Sequence, residues 1–146
     1  MNRNVDLAGA SPVTCDNASR ATRTLRLKSQ TDGVLEQVRL LPDNPAQNPH
    51  AEGSSRPLVA SLVPEGSRIP DVACGLGTNS VCLASRGEYF GTDVWLNFLR
   101  RASTRDLKLA CSDGELLPFA TGSFGVVILT YALDHCVEPV CVLREM

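Results

Sequence analysis

The chain has 146 residues, of which 43% are hydrophobic and 21% charged, and its formal net charge is −2 at pH 7. This is the composition of an ordinary globular protein with one modest core, and the charge provides no basic field for a nucleic-acid partner. No run of about twenty apolar residues occurs, so we expect no membrane span, and the cytoplasm is the predicted compartment.

The first 57 residues contain no aromatic side chain and are rich in Asn, Ser, Pro, Thr and Arg, which predicts a poorly structured N-terminal segment. Apolar residues at helical spacing over 34–41 favour one short amphipathic helix in this segment. The alternation of leucine with basic residues over 25–28 fits a strand of a hairpin instead. A proline-rich linker is predicted over 42–57.

From residue 58 to the end, short apolar runs alternate with helical stretches, a pattern typical of βαβ units around a parallel sheet. The first strand is predicted over 67–73. A glycine turn leads from it into a helix over 78–86, which Gly87 would end as a C-terminal glycine. The second strand is predicted over 89–93.

The remaining elements continue the same alternation. A helix over 95–102 precedes a third strand over 107–112. The fourth strand is predicted over 124–132 and contains an unbroken apolar run typical of burial on both faces. Pro139 suits the first turn of a last helix that runs to residue 146. The sequence therefore predicts an α/β fold with about four parallel strands.

The segment 71–78 carries the first strand into a turn that contains two glycines. Glycine lets the backbone approach a ligand closely, and the N-terminus of the following helix offers free N–H groups to a carboxylate or a phosphate. Plain connections between a strand and a helix also contain Gly-x-Gly turns. Both interpretations stay open for this segment alone.

Two carboxylates follow at the ends of the next two strands. Asp93 lies 18 residues after Gly75, where a carboxylate can accept both hydroxyl hydrogens of a ribose; a helix N-cap is the competing interpretation. Asp113 can accept from an exocyclic amine of adenine while the backbone N–H of Gly114 donates to a ring nitrogen. An Asp-Gly pair is also a common turn, which is the alternative there.

Six short segments together closely resemble the class I S-adenosylmethionine-dependent methyltransferases, in particular the branch of the ubiquinone and menaquinone biosynthesis enzymes. The resemblance covers about residues 58–146 and implies an incomplete Rossmann-like sheet with strand order 3-2-1-4. In order along the chain, the segments that carry the resemblance are 71–78, 91–93, 113–119, 122–124, 133–135 and 142–146.

The resemblance implies S-adenosylmethionine as the cofactor. Its methionine end would lie over the turn 73–77, its ribose would meet Asp93, and its adenine would lie beside the Asp113-Gly114 pair with two apolar neighbours. The implied cofactor-binding residues are Asp71, Ala73, Cys74, Gly75, Gly77, Asp93, Val94, Asp113, Gly114 and Leu116.

The implied reaction is transfer of a sulfonium methyl group to a small-molecule acceptor, which the sequence does not identify. Holding donor and acceptor in line supplies much of the acceleration in such a reaction, so no nucleophile is required. His135 follows the fourth strand and is the candidate base, with capping or packing as its alternative role. The cysteine spacing contains no Cys-x-x-Cys pair, so we predict no metal site.

Three positions depart from the pattern of this family. Ala73 replaces a usual glycine, and its methyl group is expected to crowd the cofactor. Pro70 lies in the strand expected at the centre of the sheet, where its missing N–H removes a ladder bond. Gly125 occupies a position where relatives carry an aspartate. Together these residues predict a weakened cofactor affinity.

The family continues beyond the segment 142–146 into a fifth strand, so the resemblance implies a C-terminally truncated half-domain over 58–146. The fourth strand would then be an exposed apolar edge. We expect a homo-oligomer or a partner protein to cover it. A non-catalytic Rossmann-like remnant or assembly module is the alternative function. A nicotinamide-dependent dehydrogenase would not explain the segment 113–119.

Overall fold

A computed structural model describes residues 55–146. The helix or strand predicted within residues 25–41, and most of the predicted linker, lie outside the described residues. The first described helix, α1 (Arg56–Leu62), has Pro57 in its first turn, where a missing N–H costs no helical bond. It begins inside the predicted linker and crosses the predicted domain boundary at residue 57, so the sequence pattern missed it.

The described elements form one parallel sheet with helices around it. The first strand along the chain pairs with the second on one side and with the fourth on the other, the third pairs with the second, and every pairing is parallel. The predicted α/β class, the number of strands and their order are therefore confirmed. After α1, the elements are β1 (Ser67–Val72), α2 (Ser80–Leu83), β2 (Gly87–Asp93), α3 (Leu96–Ala102), β3 (Lys108–Cys111), β4 (Ile128–Leu129) and α4 (Pro139–Glu145).

The helix predicted over 78–86 is wrong in length, since α2 has only four residues. Asn79 and Ser80 have weak helix propensity. The side chain of Asn79 forms hydrogen bonds with Asp71 and Thr130, outside the helix. Gly87 is not a C-terminal glycine but the first residue of β2. A Cβ at this position would lie 1.9 Å from the carbonyl oxygen of Ser67, so close packing of two strands requires this glycine.

The fourth strand is also shorter than the prediction over 124–132, because only residues 128 and 129 pair with β1. Pairing begins at Asp71, the residue after Pro70, which has no N–H to donate. It ends where Tyr131 adopts a φ of +57°, a left-handed conformation that no strand continues. Ile128 is buried, but its neighbours Val127 and Leu129 are half-buried, so burial on both faces is not general in this strand.

The two faces of β2 contact different parts of the chain. Tyr89 belongs to the main buried cluster, which also contains Ala60, Val63, Ile69, Leu83 and Ile128. Phe90, on the opposite face, makes edge-on ring contacts with Phe119 and Phe124 at centroid distances of 6.4 and 5.8 Å. The loop between β3 and β4 therefore covers the face that α1 and α2 leave open.

β4 is the outermost strand of the sheet formed by residues 55–146. Beside it, Leu133 and Leu143 are 38% and 55% exposed. The exposed apolar edge was expected in the fourth strand itself, where Ile128 is buried and Leu129 is half-buried. Within the described part of the chain, no helix has the length and apolar character needed to cross a membrane.

Candidate functional site

A cleft of about 290 Å³ lies at the carboxyl ends of the strands. Its walls come from the turn after β1, the start of α3, the loop after β3, the segment after β4 and one residue of α4. From β1, the chain adds β2 and β3 on one side of the sheet and then places β4 on the other side, so a topological switch point lies between β1 and β4. Ligands of open α/β sheets bind beside such a switch point. The cleft is therefore the candidate functional site.

The turn after β1 has three residues in the left-handed region: Ala73, Gly75 and Gly77, with φ of +55°, +55° and +66°. Glycine adopts this conformation freely, whereas it costs a residue with a Cβ roughly 1–2 kcal/mol. Ala73 therefore strains the turn, in addition to presenting its methyl group at the cleft. Gly77 does not line the cleft; a Cβ there would lie 2.9 Å from the side chain of Leu107, so this glycine permits packing beneath the turn.

Asp93, at the end of β2, joins two turns at the floor of the cleft. Its carboxylate oxygens accept from the backbone N–H of Gly75 and of Trp95, both at 2.8 Å. Burial raises the pKa of Asp93, and these two bonds oppose the rise. The N-cap residue of α3 is Trp95, so the N-cap interpretation of Asp93 does not hold. A carboxylate has about four acceptor positions, which leaves capacity for a ligand.

Two predicted site residues, Asp71 and Cys74, lie beneath the turn instead of lining the cleft. Asp71 is 1% exposed and accepts from the Tyr89 hydroxyl at 2.7 Å and from the Asn79 side-chain amide at 3.1 Å. Burial raises the pKa of Asp71 to about 6, although both bonds oppose the rise. Burial also raises the pKa of the Cys74 thiol. Both side chains support the turn from below.

The segment after β3, where the sequence predicts the adenine, lines the cleft and is also a turn. Asp113 accepts from the N–H of Glu115 at 3.0 Å through its side chain and from the N–H of Leu116 at 3.0 Å through its backbone. Asp113 and Gly114 line the cleft. Leu116 is 59% exposed and lies outside the cleft lining, because the turn directs it away.

His135 lines the cleft from the 3₁₀ turn Leu133–His135 that follows β4. Its side chain is 66% exposed, and Nε2 lies 4.0 Å from the Asp134 carboxylate. A packing role does not fit such exposure. Val94, the last of the predicted residues, also lines the cleft and is 38% exposed.

Several residues of the cleft were not predicted, among them Trp95, Phe98, Thr130 and Tyr131. Trp95, the N-cap residue of α3, and Phe98, in its first turn, are three residues apart and both line the cleft, a spacing visible in the sequence. Tyr131 gave no such signal. Its left-handed backbone turns the side chain so that the hydroxyl bonds to Ser55, at 2.5 Å from the Ser55 hydroxyl and 3.3 Å from its backbone nitrogen.

Among residues 55–146, no cluster of three or more His, Cys, Asp or Glu side chains has the geometry to hold a metal ion. The cleft itself is lined by carboxylates, backbone amides, apolar side chains and the imidazole of His135.

Comparison with known proteins identifies the class. A family model described as a methyltransferase domain matches residues 70–146. The demethylmenaquinone methyltransferase of Corynebacterium urealyticum is 39% identical over 82 residues, which are 56% of this chain and 36% of that protein. The YcgJ protein of Bacillus subtilis has a TM-score of 0.59 at 22% identity, over 62% of this chain and 43% of that one. The [4+2]-cyclase SpnF has a TM-score of 0.56 at 24% identity, over 62% and 38%.

The family match takes in more than half of the chain, so the chain belongs to the methyltransferase domain family. It is a member of the class I S-adenosylmethionine-dependent methyltransferases, and S-adenosylmethionine is the cofactor of this class. The curated relatives that it resembles are demethylmenaquinone methyltransferases by name. The chain spans about a third of the length of the curated relatives it matches.

Proposed function

We propose that this chain binds S-adenosylmethionine in the cleft and transfers its methyl group to a small-molecule acceptor. The observation that carries the proposal is that the turn 73–77, Asp93 and the Asp113-Gly114 turn converge on one cleft at the switch point of the sheet. These are the three segments that the motifs assign to the methionine end, the ribose and the adenine.

The residues of the cleft suit the chemistry of this cofactor. Asp93 retains acceptor capacity for the two ribose hydroxyls after bonding to two backbone amides. Val94, Trp95 and Phe98 supply apolar and aromatic surface for a flat ring next to it. A Cβ at Gly114 would lie 3.4 Å from a methyl group of Val72 and 3.4 Å from one of Val142. Because glycine has no side chain, these methyl groups stay accessible from the cleft.

When bound, S-adenosylmethionine supplies a sulfonium methyl group that a nucleophilic carbon, oxygen or nitrogen displaces in line. The protein's contribution is then mainly positioning. We assign His135 as the base that accepts a proton from the acceptor, since its imidazole lines the cleft and is open to solvent. A His135→Gln variant is expected to lose turnover and to keep cofactor affinity, because the imidazole does not belong to the cofactor segments.

The acceptor is the least constrained part of the proposal. The relatives are demethylmenaquinone methyltransferases by name, so a quinol with an unsubstituted ring carbon is the first acceptor to test. The apolar walls of the cleft suit such a ring. The net charge of −2 does not favour a nucleic-acid acceptor. We also propose a cytoplasmic location, which cell fractionation would test.

Isothermal titration with S-adenosylhomocysteine tests cofactor binding in three proteins: wild type, Asp93→Asn and Asp134→Asn. Asp134 is the matched control, since its carboxylate is 79% exposed and lies outside the cleft lining. We expect micromolar affinity in the wild type and the control, and about tenfold weaker binding in Asp93→Asn, which loses charge-assisted bonds to the ribose. No binding by a folded wild-type sample contradicts the proposal.

One observation favours the alternative of a non-catalytic module. Ala73 holds the turn 73–77, here called the cofactor turn, in a strained conformation. In addition, one of the solved structures of similar fold is a cyclase, so the fold alone does not determine the reaction. Binding of S-adenosylhomocysteine without turnover on any quinol or catechol would favour the module. For either function we propose that a second copy of the chain or a partner protein covers the edge of the sheet at β4. Light scattering would reveal a dimer.

A further inference from the structure

The side chain of Asn79 joins four elements beneath the cofactor turn. Its amide nitrogen donates to Asp71 at the end of β1, at 3.1 and 3.2 Å to the two carboxylate oxygens, and to the Thr130 hydroxyl after β4 at 2.8 Å. Its amide oxygen accepts from Nε of Arg56 in α1 at 3.2 Å. Asn79 itself is 9% exposed; its bonds to Asp71 are buried, and those to Arg56 and Thr130 are partly buried.

The orientation of this amide is dictated by its partners. A flipped Asn79 would put its oxygen against the carboxylate of Asp71 and its nitrogen against the guanidinium of Arg56, two repulsive contacts. In the observed orientation both N–H groups and the oxygen have partners of opposite polarity. The side chain is therefore held in one position by three elements other than its own.

The bond between Asp71 and Asn79 closes the base of the turn. The two residues are eight positions apart, and the left-handed residues Ala73, Gly75 and Gly77 lie between them. Tyr89 fixes the same carboxylate from β2, with its hydroxyl 2.7 Å away. The strained turn is therefore clamped at both ends, while the middle of it faces the cleft.

We propose that Asn79 is a positioning residue, which holds the cofactor turn closed and couples it to Thr130 on the acceptor side of the cleft. The proposal rests on the proposed function for its effect on cofactor affinity. Asn79 does not line the cleft and acts through Asp71 and Thr130. Neither the family motifs nor the resemblance assigns it a role.

Two variants of Asn79 separate this role from simple packing. Asn79→Leu keeps the branched heavy-atom skeleton of the side chain but has no hydrogen-bonding atoms, and it is expected to weaken S-adenosylhomocysteine binding about tenfold at pH 8. Asn79→Asp puts two carboxylates about 3 Å apart, which repel each other when both are ionised. Below the pH at which the pair takes up one proton, an O–H···O bond restores the closure.

The signature is therefore a pH dependence of the ratio between variant and wild-type dissociation constants. From pH 8 to pH 5.5 the ratio for Asn79→Asp should fall from about ten towards one. Because the pKa of Asp71 is raised to about 6 in the wild type, the ratio for Asn79→Leu should also fall, but by less, since leucine cannot share the proton that Asp71 takes up. Other charged or titratable groups facing Asp71 are Tyr89, Asp93, Cys74 and Arg56, and all are unchanged in both variants. Equal pH dependence in the two variants contradicts the proposal.

Hydrogen exchange of the ligand-free protein gives a readout that does not depend on cofactor binding. Peptides covering residues 73–77 should exchange faster in Asn79→Leu than in wild type, and unchanged exchange overturns the proposal. If Asn79→Leu does not fold, Arg56→Gln carries the test, since Arg56 is half-buried and its loss frees the amide oxygen. If the wild type does not bind S-adenosylhomocysteine but Asn79→Leu still exchanges faster than the wild type, the proposed function is contradicted and the positioning role of Asn79 is not.

Discussion

The two sides of the central strand β1 differ in how completely they are paired. On one side, β2 pairs with all six residues of β1, and the buried carboxylates Asp71 and Asp93 bind the turns beyond both strands. On the other side, β4 pairs over two residues only and is the outermost strand of the described sheet. The β2 side is fixed by strand pairing and buried carboxylates, while the β4 side has fewer such restraints.

This difference is consistent with a division of labour within the cleft. The residues proposed to hold the cofactor lie on the paired side, where the backbone and buried polar groups set their positions. His135 and Tyr131, on the acceptor side, are exposed and follow the short strand. Substitutions that act on the paired side should therefore have large effects, and matched substitutions on the β4 side should have small ones.

The largest effect is expected for Gly87→Ala, at the start of β2. The added Cβ would lie 1.9 Å from the backbone oxygen of Ser67, so the two strands must separate. We expect the free energy of unfolding to fall by more than about 3 kcal/mol. Urea denaturation followed by circular dichroism measures it. A loss below about 1 kcal/mol would mean that the β1–β2 pairing adapts easily, which contradicts the comparison.

The second effect is a pH dependence of the free energy of unfolding, caused by Asp71. Its pKa is raised from 3.8 to about 6 in the folded state, so the folded protein binds this proton more tightly than the unfolded chain. The stabilising contribution is therefore complete below about pH 4 and lost as the pH rises through 6. Over two pH units at about 1.4 kcal/mol each, the loss approaches 3 kcal/mol.

Asp71→Asn removes this titration and provides the comparison for it. From pH 4 to pH 7.5, the stability of the wild type should fall relative to the variant by up to about 3 kcal/mol, as measured by urea denaturation. Asp93, whose pKa burial also raises, is present in both proteins and largely cancels. A constant difference over this range would indicate that the Asp71 carboxyl is not desolvated as the structure indicates.

The same asymmetry explains which features were predictable from the sequence. The glycine turn and Asp93 follow from local patterns, and the strand order followed from the resemblance to the family. The role of Asn79 was not predictable, because its partners lie 8, 23 and 51 residues away. The length of β4 was also missed, since it depends on Pro70 in another strand and on the backbone of Tyr131.

A smaller effect with the opposite sign is expected for Ala73→Gly. The φ of +55° costs an alanine roughly 1–2 kcal/mol, and the greater freedom of glycine in the unfolded chain offsets part of the gain. We expect a net stabilisation of about 0.5–1 kcal/mol and tighter binding of S-adenosylhomocysteine, because the crowding methyl group is removed. Thermal unfolding and titration measure the two effects. A destabilised variant would indicate that the left-handed conformation at this residue is not strained.

The smallest effect sharpens the comparison most directly, since it repeats the Gly87→Ala substitution on the β4 side. Gly125 has no heavy atom within 4 Å of a Cβ and no positive φ, so alanine fits there without strain. By reducing the freedom of the unfolded chain, Gly125→Ala should stabilise the protein by about 0.5 kcal/mol, measured by the same urea denaturation. The position where relatives carry an aspartate would then accept a side chain at no cost. A loss comparable to that of Gly87→Ala would mean that the segment leading into β4 is as closely packed as the strands on the cofactor side, and the contrast between the two sides would not hold.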